Sequence, residues 1–168
     1  MFPRIVKFLI LLFLPWFLLS CNSEESGAIA DVKEETFMEA KIDGRIWKAA
    51  FVVPSQTNVN GLEVLFITGG KPSDQNLEGI VLQFFNSTSP DSFVIDTMST
   101  QRAQYVSAVY TRGTEEVPED FIAVSGLVKL TVREEKKVGG TFEFRGVEQS
   151  DSSKTVSVTE GKFSTPLK

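Results

Sequence analysis

Ala123-Val124-Ser125-Gly126-Leu127-Val128-Lys129-Leu130-Thr131-Val132-Arg133, then Glu134-Glu135-Lys136-Lys137, then Thr141-Phe142-Glu143-Phe144-Arg145-Gly146-Val147, is the stretch that decides the fold class. Val128, Leu130 and Val132 alternate with Lys129, Thr131 and Arg133, and Phe142 and Phe144 alternate with polar neighbours. Successive side chains of an extended chain point to opposite faces, so a period of two predicts half-buried β-strands. The four charged residues between the two runs read as a turn. Asp151-Ser152-Ser153 turns the chain again into Thr155–Phe163, where Val156 and Val158 alternate with Ser157 and Thr159.

The same period runs back to Phe37. Met38, Ala40 and Ile42 alternate with Glu39, Lys41 and Asp43, and Asp43-Gly44 reads as a two-residue hairpin turn. The return strand carries Trp47, Ala49, Phe51 and Val53 on one face and is expected to stop at Pro54. A polar loop through Asn60-Gly61 leads to a strand over 62–68, with a break predicted at Gly69-Gly70. Gly79–Phe85 is apolar on both faces, which places it centrally in a sheet. Strands at Phe93–Asp96 and Ala103–Tyr110 follow, and Thr111–Asp120 reads as a loop. About nine short strands without a helical pattern predict an all-β antiparallel sandwich or barrel. Gly140, Gly146 and Gly161 mark expected bulges or close backbone approaches.

Residues 1–20 stand apart from this pattern. Arg4 and Lys7 precede an apolar run from Phe8 to Leu19, which suits a signal peptide better than a membrane span. The run ends in Leu18-Leu19-Ser20-Cys21, which resembles the lipobox of bacterial lipoproteins. That resemblance implies lipid attachment at Cys21, with palmitate-type acyl chains, and cleavage before it. Residues 21–36 then form an acidic flexible tether, and 37–168 a single β domain. Ser23-Glu24-Glu25 resembles the acidic export signal of surface lipoproteins in Bacteroidetes-type bacteria. The expected location is therefore the outer membrane, either surface-exposed or facing the periplasm.

Composition removes several chemistries. The chain has no histidine and one cysteine, so Ser-His-Asp, Cys-His and thiolate sites find no residues once Cys21 is acylated. No catalytic residues, cofactor or metal are expected, and the domain is read as non-enzymatic. Without Arg4 and Lys7 the mature chain keeps 15 basic against 22 acidic residues, which argues against nucleic acid as a partner. The membrane contact is the anchor; the other partner is a protein, glycan or small molecule.

Weaker signals complete the reading. Gly113–Asp120 could gather oxygens around Ca²⁺ but lacks the EF-hand spacing, and a solvated acidic loop is the better reading. Asp96-Thr97-Met98 resembles the acceptor for protein O-glycosylation in these bacteria, making Thr97 a candidate site, and Asn86-Ser87-Thr88 fits the N-glycan pattern. Trp47, Tyr105 and Tyr110 suggest a sugar platform, but Trp47 sits in an apolar register that favours the core. Tyr105 and Tyr110 differ by an odd number and so face opposite ways.

With the strands placed, the chain resembles small lipoproteins of the DUF6252-like group, a family of unknown function. The resemblance rests on Ala40-Lys41-Ile42-Asp43-Gly44-Arg45-Ile46-Trp47, on the strand ending Phe85-Asn86, on Gly139–Phe144 and on Val156–Phe163. It implies a β-domain on a lipid anchor and supplies no catalytic residues. A binding or interaction module is the function expected. The alternatives are a lipocalin-like carrier of a small apolar ligand and a carboxylate-based hydrolase.

Overall fold

The computed structural model describes residues 35–59, 61–71, 76–96 and 98–167. Ten antiparallel strands form one sheet: β1 (Phe37–Ile42), β2 (Arg45–Lys48), β3 (Phe51–Val59), β4 (Leu62–Gly70), β5 (Leu77–Phe85), β6 (Asp91–Ile95), β7 (Tyr105–Gly113), β8 (Pro118–Arg133), β9 (Lys137–Glu148) and β10 (Thr155–Pro166). Nine of them follow the order β2-β1-β10-β9-β8-β7-β5-β4-β3, and β6 pairs with β8 off that path.

The sheet curls into a half-barrel, and side chains show how far. Arg45 on β2 forms an ion pair with Glu78 on β5, six places away in the strand order. A Cβ placed on Gly69 of β4 would lie 2.6 Å from Met38 Sδ on β1, also six places from it. Side chains thus reach across the mouth of the half-barrel, and the backbone crosses it at Ala49-Ala50, where Ala49 donates to the Met38 carbonyl and Ala50 to that of Gly70. Trp47, Phe84, Tyr110, Phe121 and Phe163 fill the interior with almost no exposure. Phe84 meets Phe93 edge-on at 6.0 Å, and Tyr110 lies 5.9 Å from Phe121. Each such side chain contributes roughly 1.5–3 kcal/mol by leaving water.

The Asp43-Gly44 turn forms as expected, with positive φ at both residues. The three C-terminal strands, the inward Phe142 and Phe144 and the buried Trp47 also stand as read. Gly161 follows a register shift in β10 where Glu160 takes φ 53°. A Cβ on Gly146 would meet that of Phe121 at 2.9 Å, so this glycine does mark a close approach.

Four boundaries differ from the sequence reading. The return strand is two strands, because Ala49-Ala50 carries the chain from the β2 edge of the sheet to the β3 edge. Pro54 does not stop β3 but lies inside it, opposite Ile67. That is permitted because β3 is an edge, and a strand with neighbours on both sides would need the N–H that proline lacks. β4 continues through Gly69-Gly70, where the Phe51 ring covers Gly70. The loop expected over Thr111–Asp120 is only 114–117, since Thr111 pairs with Asp120 and Arg112 with Glu119 inside the β7–β8 ladder.

β8 serves two neighbours in succession. Its first half pairs with β7 and its second with β6, while β9 lies along its other side. The change falls at a register shift between Ala123 and Ser125. There a Cβ on Gly126 would come within 2.3 Å of the Glu143 carbonyl oxygen.

Candidate binding surface

Two features of the β domain carry chemistry: a polar cluster at one end of the half-barrel and an outer face divided in two. The cluster gathers where β5 begins and β7 ends. Tyr110 donates to Glu78 Oε1 at 2.6 Å, and the same oxygen accepts from Arg45. The Glu78 side chain is only 16% exposed. Burial raises its pKa, but hydrogen bonds from Arg45 and Tyr110 outweigh that and hold the carboxyl below the usual range. Burial pushes the Tyr110 phenol up, and donation to a carboxylate adds to the shift.

Beside it, Arg112 lies 4.7 Å over the Phe121 ring and donates to Glu119 Oε2 at 2.9 Å. Lys154 donates to Glu119 Oε1 at 2.5 Å. The Lys154 and Arg112 hydrogen bonds lower the Glu119 carboxyl, and the Ser153 hydroxyl lowers Asp151. An acid catalyst needs a carboxyl raised towards neutrality; Glu78, Glu119 and Asp151 are shifted the other way. The cluster works as a clamp: Arg45 and Glu78 reach across the mouth, and Tyr110 fixes the carboxylate.

This gives a pH signature. A carboxyl lowered by folding adds stability that is present above its unfolded value, about 4.3, and is lost as pH falls through the folded value. Tyr110→Phe removes one lowering hydrogen bond and is expected to cost about 1.5 kcal/mol at pH 7, the lower end for bonds to charged groups. Urea unfolding should show the gap between Tyr110→Phe and wild type narrowing as pH falls below 4. A gap independent of pH would disconnect Tyr110 from the Glu78 charge. The raised phenol acts at the other end: stability should fall as pH climbs past about 10, where the unfolded tyrosine ionises first.

The outer face is more unusual. Register places Val53, Thr68, Val81, Val109, Ile122 and Val147 side by side across six strands. A parallel row runs Ser55, Phe66, Gln83, Ser107, and a third runs Thr57, Val64, Phe85, Tyr105. Phe85 and Tyr105 stack at 4.2 Å. No outward position on β3, β4, β5 or β7 carries a charge; Glu63, Glu78 and Arg112 share the inward register and sit near the strand ends. Val53 is 51% exposed and Ile122 40%. Across β8, β9 and β10 the face changes character, with Lys129, Glu143, Arg145 and Lys162 all exposed. A solvent-facing antiparallel sheet is ordinarily polar, and an uncharged, partly apolar sheet face marks a surface for contact.

The sequence candidates distribute as follows. Cys21 and Thr97 lie outside the described residues. Tyr105 and Tyr110 do face opposite ways, one stacked outside and one buried inside. Asn86 is structural: its Oδ1 accepts the Glu63 N–H and its Nδ2 donates to the Ala103 carbonyl. Asp120 accepts from Thr111 at 2.7 Å, so the acidic end of the expected loop is tied into the sheet. Among the described residues no three carboxylates stand close enough to share a metal ion.

Sequence reasoning missed the uncharged face, although its signal was visible in the double apolar alternation of β5. The Arg45–Glu78–Tyr110 cluster left no signal, because its members come from three strands with no common period. Grooves of about 430 Å³, bordered by Phe37, Lys48 and Lys162, and of about 360 Å³, bordered by Phe93, Arg102 and Tyr105, open on the surface. The interior itself is occupied by the rings described above.

No curated protein matches the chain, and no solved structure does. The profile of a domain of unknown function, DUF6252, matches residues 34–165, from just before β1 to within β10, and the chain belongs to that family.

Proposed function

We propose that the β domain is a non-enzymatic interaction module that presents its uncharged outer face to a protein partner, at an outer membrane to which a lipid on Cys21 holds it. The observation that carries this reading is the absence of charge from every outward position of four adjacent strands, beside a charged half of the same sheet. Burying such a face removes apolar area from water without stripping any ion of its hydration. Nothing in the packed interior favours a carrier, and the lowered carboxyls do not favour a hydrolase.

A photoreactive amino acid at Ile122 should cross-link to a discrete partner in cells, and one at Lys129 should not. Equal labelling at both positions would defeat the reading. The anchor has its own test: Cys21→Ala should release the chain from membranes and abolish acyl labelling. Persistence of the variant at the membrane would refute lipid attachment there. Protease shaving of intact cells then distinguishes surface display from a periplasmic aspect.

A further inference from the structure

β3 borders the uncharged face and is an edge strand nine residues long, Phe51-Val52-Val53-Pro54-Ser55-Gln56-Thr57-Asn58-Val59. Soluble proteins blunt edges with short strands, charged side chains, prolines or bulges, and of these devices β3 carries only Pro54. β3 has no charged residue, and its ladder with β4 runs unbroken from Phe51 opposite Gly70 to Val59 opposite Leu62. Glu63 and Lys71 of the β4 side bond towards β5, to Asn86 and Glu78, so the even-numbered residues of β4 address β3, where their partners are the odd-numbered residues. Amide groups of an antiparallel strand alternate in direction. The odd-numbered residues of β3 therefore address β4, and Val52, Pro54, Gln56 and Asn58 address the open side. Pro54 fits this phase, because its missing N–H is not owed to β4.

We propose that β3 pairs antiparallel with β3 of a second copy of this chain, about a two-fold axis at Ser55. The proposal rests on the reading of the uncharged face as a contact surface: the second copy joins at the edge of that face and continues it, leaving Ile122, four strands in, to the cross-linked partner. Charge is the first argument. At a net charge of −5, two copies repel each other, and an uncharged edge lets them meet without opposing like charges. The second argument is self-complementarity, which a two-fold contact requires. About Ser55, Phe51 falls opposite Val59 of the second copy and Val53 opposite Thr57, pairs that suit a sheet face. The Gln56 N–H still finds the Pro54 carbonyl of the second copy. Each copy forgoes only the bond that proline cannot donate, and the two uncharged faces become one.

The register can be tested on the full chain in detergent micelles. Ser55 would meet itself as a non-hydrogen-bonded pair, at about 4.5 Å between Cα atoms, within disulfide reach. Thr57 would meet Val53 and not itself. Under mild oxidation S55C is expected to give roughly tenfold more disulfide dimer than T57C or the wild-type chain. Both positions are exposed, so the fold should survive, as far-UV circular dichroism will show. Adding Gln56→Pro removes an N–H used only in the pairing, and should abolish the S55C dimer. Equal dimer from S55C and T57C, or a dimer that survives Gln56→Pro, would overturn the proposal. An adduct of S55C with a different protein would also overturn it while leaving the interaction-surface reading intact. Failure of the Ile122 cross-link would remove that reading instead.

Discussion

Trp47→Ala is expected to cost about 3–5 kcal/mol, the range for truncating a buried aromatic. Few domains have more than about 5–15 kcal/mol to lose. Trp47 has no measurable exposure and comes from β2, a four-residue edge strand that is otherwise exposed. Beyond the β1 ladder and the half-exposed Arg45, its ring is what fastens that edge into the half-barrel. The cavity left behind lies beside the Ala49-Ala50 crossing, where side chains add to two backbone hydrogen bonds in holding the half-barrel. Trp47→Phe supplies the contrast. The indole N–H is buried without an acceptor, so removing it discards an unmet polar group while keeping most of the volume. Its cost should stay under about 2 kcal/mol. Urea denaturation followed by circular dichroism compares the two. A cost for Trp47→Ala as small as that for Trp47→Phe would show that the half-barrel does not depend on the ring.

The C-terminal half of the fold was legible because each of its strands buries one face and wets the other. That alternation survives in the sequence as a period of two, visible at Val128-Lys129-Leu130 and Phe142-Glu143-Phe144. Trp47 was legible as core for the same reason. The β7–β8 ladder was hidden by its polarity: Thr111, Arg112, Glu119 and Asp120 look like loop residues until they are seen satisfying one another across two strands. Pro54 misled because proline ends a strand that has two neighbours, and the sequence does not announce an edge. The apolar outward positions of β5 read as burial. The strand is indeed flanked by β4 and β7, yet Val81 and Phe85 keep part of their surface in water.

Gly140→Ala, whose added methyl makes the shortest contact of any described glycine, should be strongly destabilising. The added Cβ would stand 2.1 Å from the Lys129 carbonyl oxygen and 3.1 Å from the Phe163 ring. The first obstacle is backbone in the β8–β9 ladder, which cannot step aside as a flexible side chain could. Relief requires parting Leu130 from Gly140, next to a register shift that already interrupts the ladder. We expect a loss of about 3 kcal/mol, the upper end for overpacking. Gly44→Ala separates crowding from backbone conformation: a Cβ there meets nothing within 4 Å, but φ is +80°. Its cost should be only the 1–2 kcal/mol or so of a left-handed residue. Thermal melts of the two variants would settle the order, and a milder effect at Gly140 would show that the ladder yields.

The step at Ala49-Ala50 has a consequence for how the chain reaches its native state. It places consecutive strands on opposite edges, while β1 joins the main sheet only through β10, with Phe37 opposite Ser164. A chain emerging from its amino end can form the β1–β2 and β3–β4 hairpins early, but the first has no sheet to enter until the last strand has been made. Pairings so distant in sequence carry a loop-closure cost that must be met before they return any stability, and they slow folding to milliseconds or seconds. Acquisition of structure should therefore be late and concerted, with the two ends of the domain arriving together.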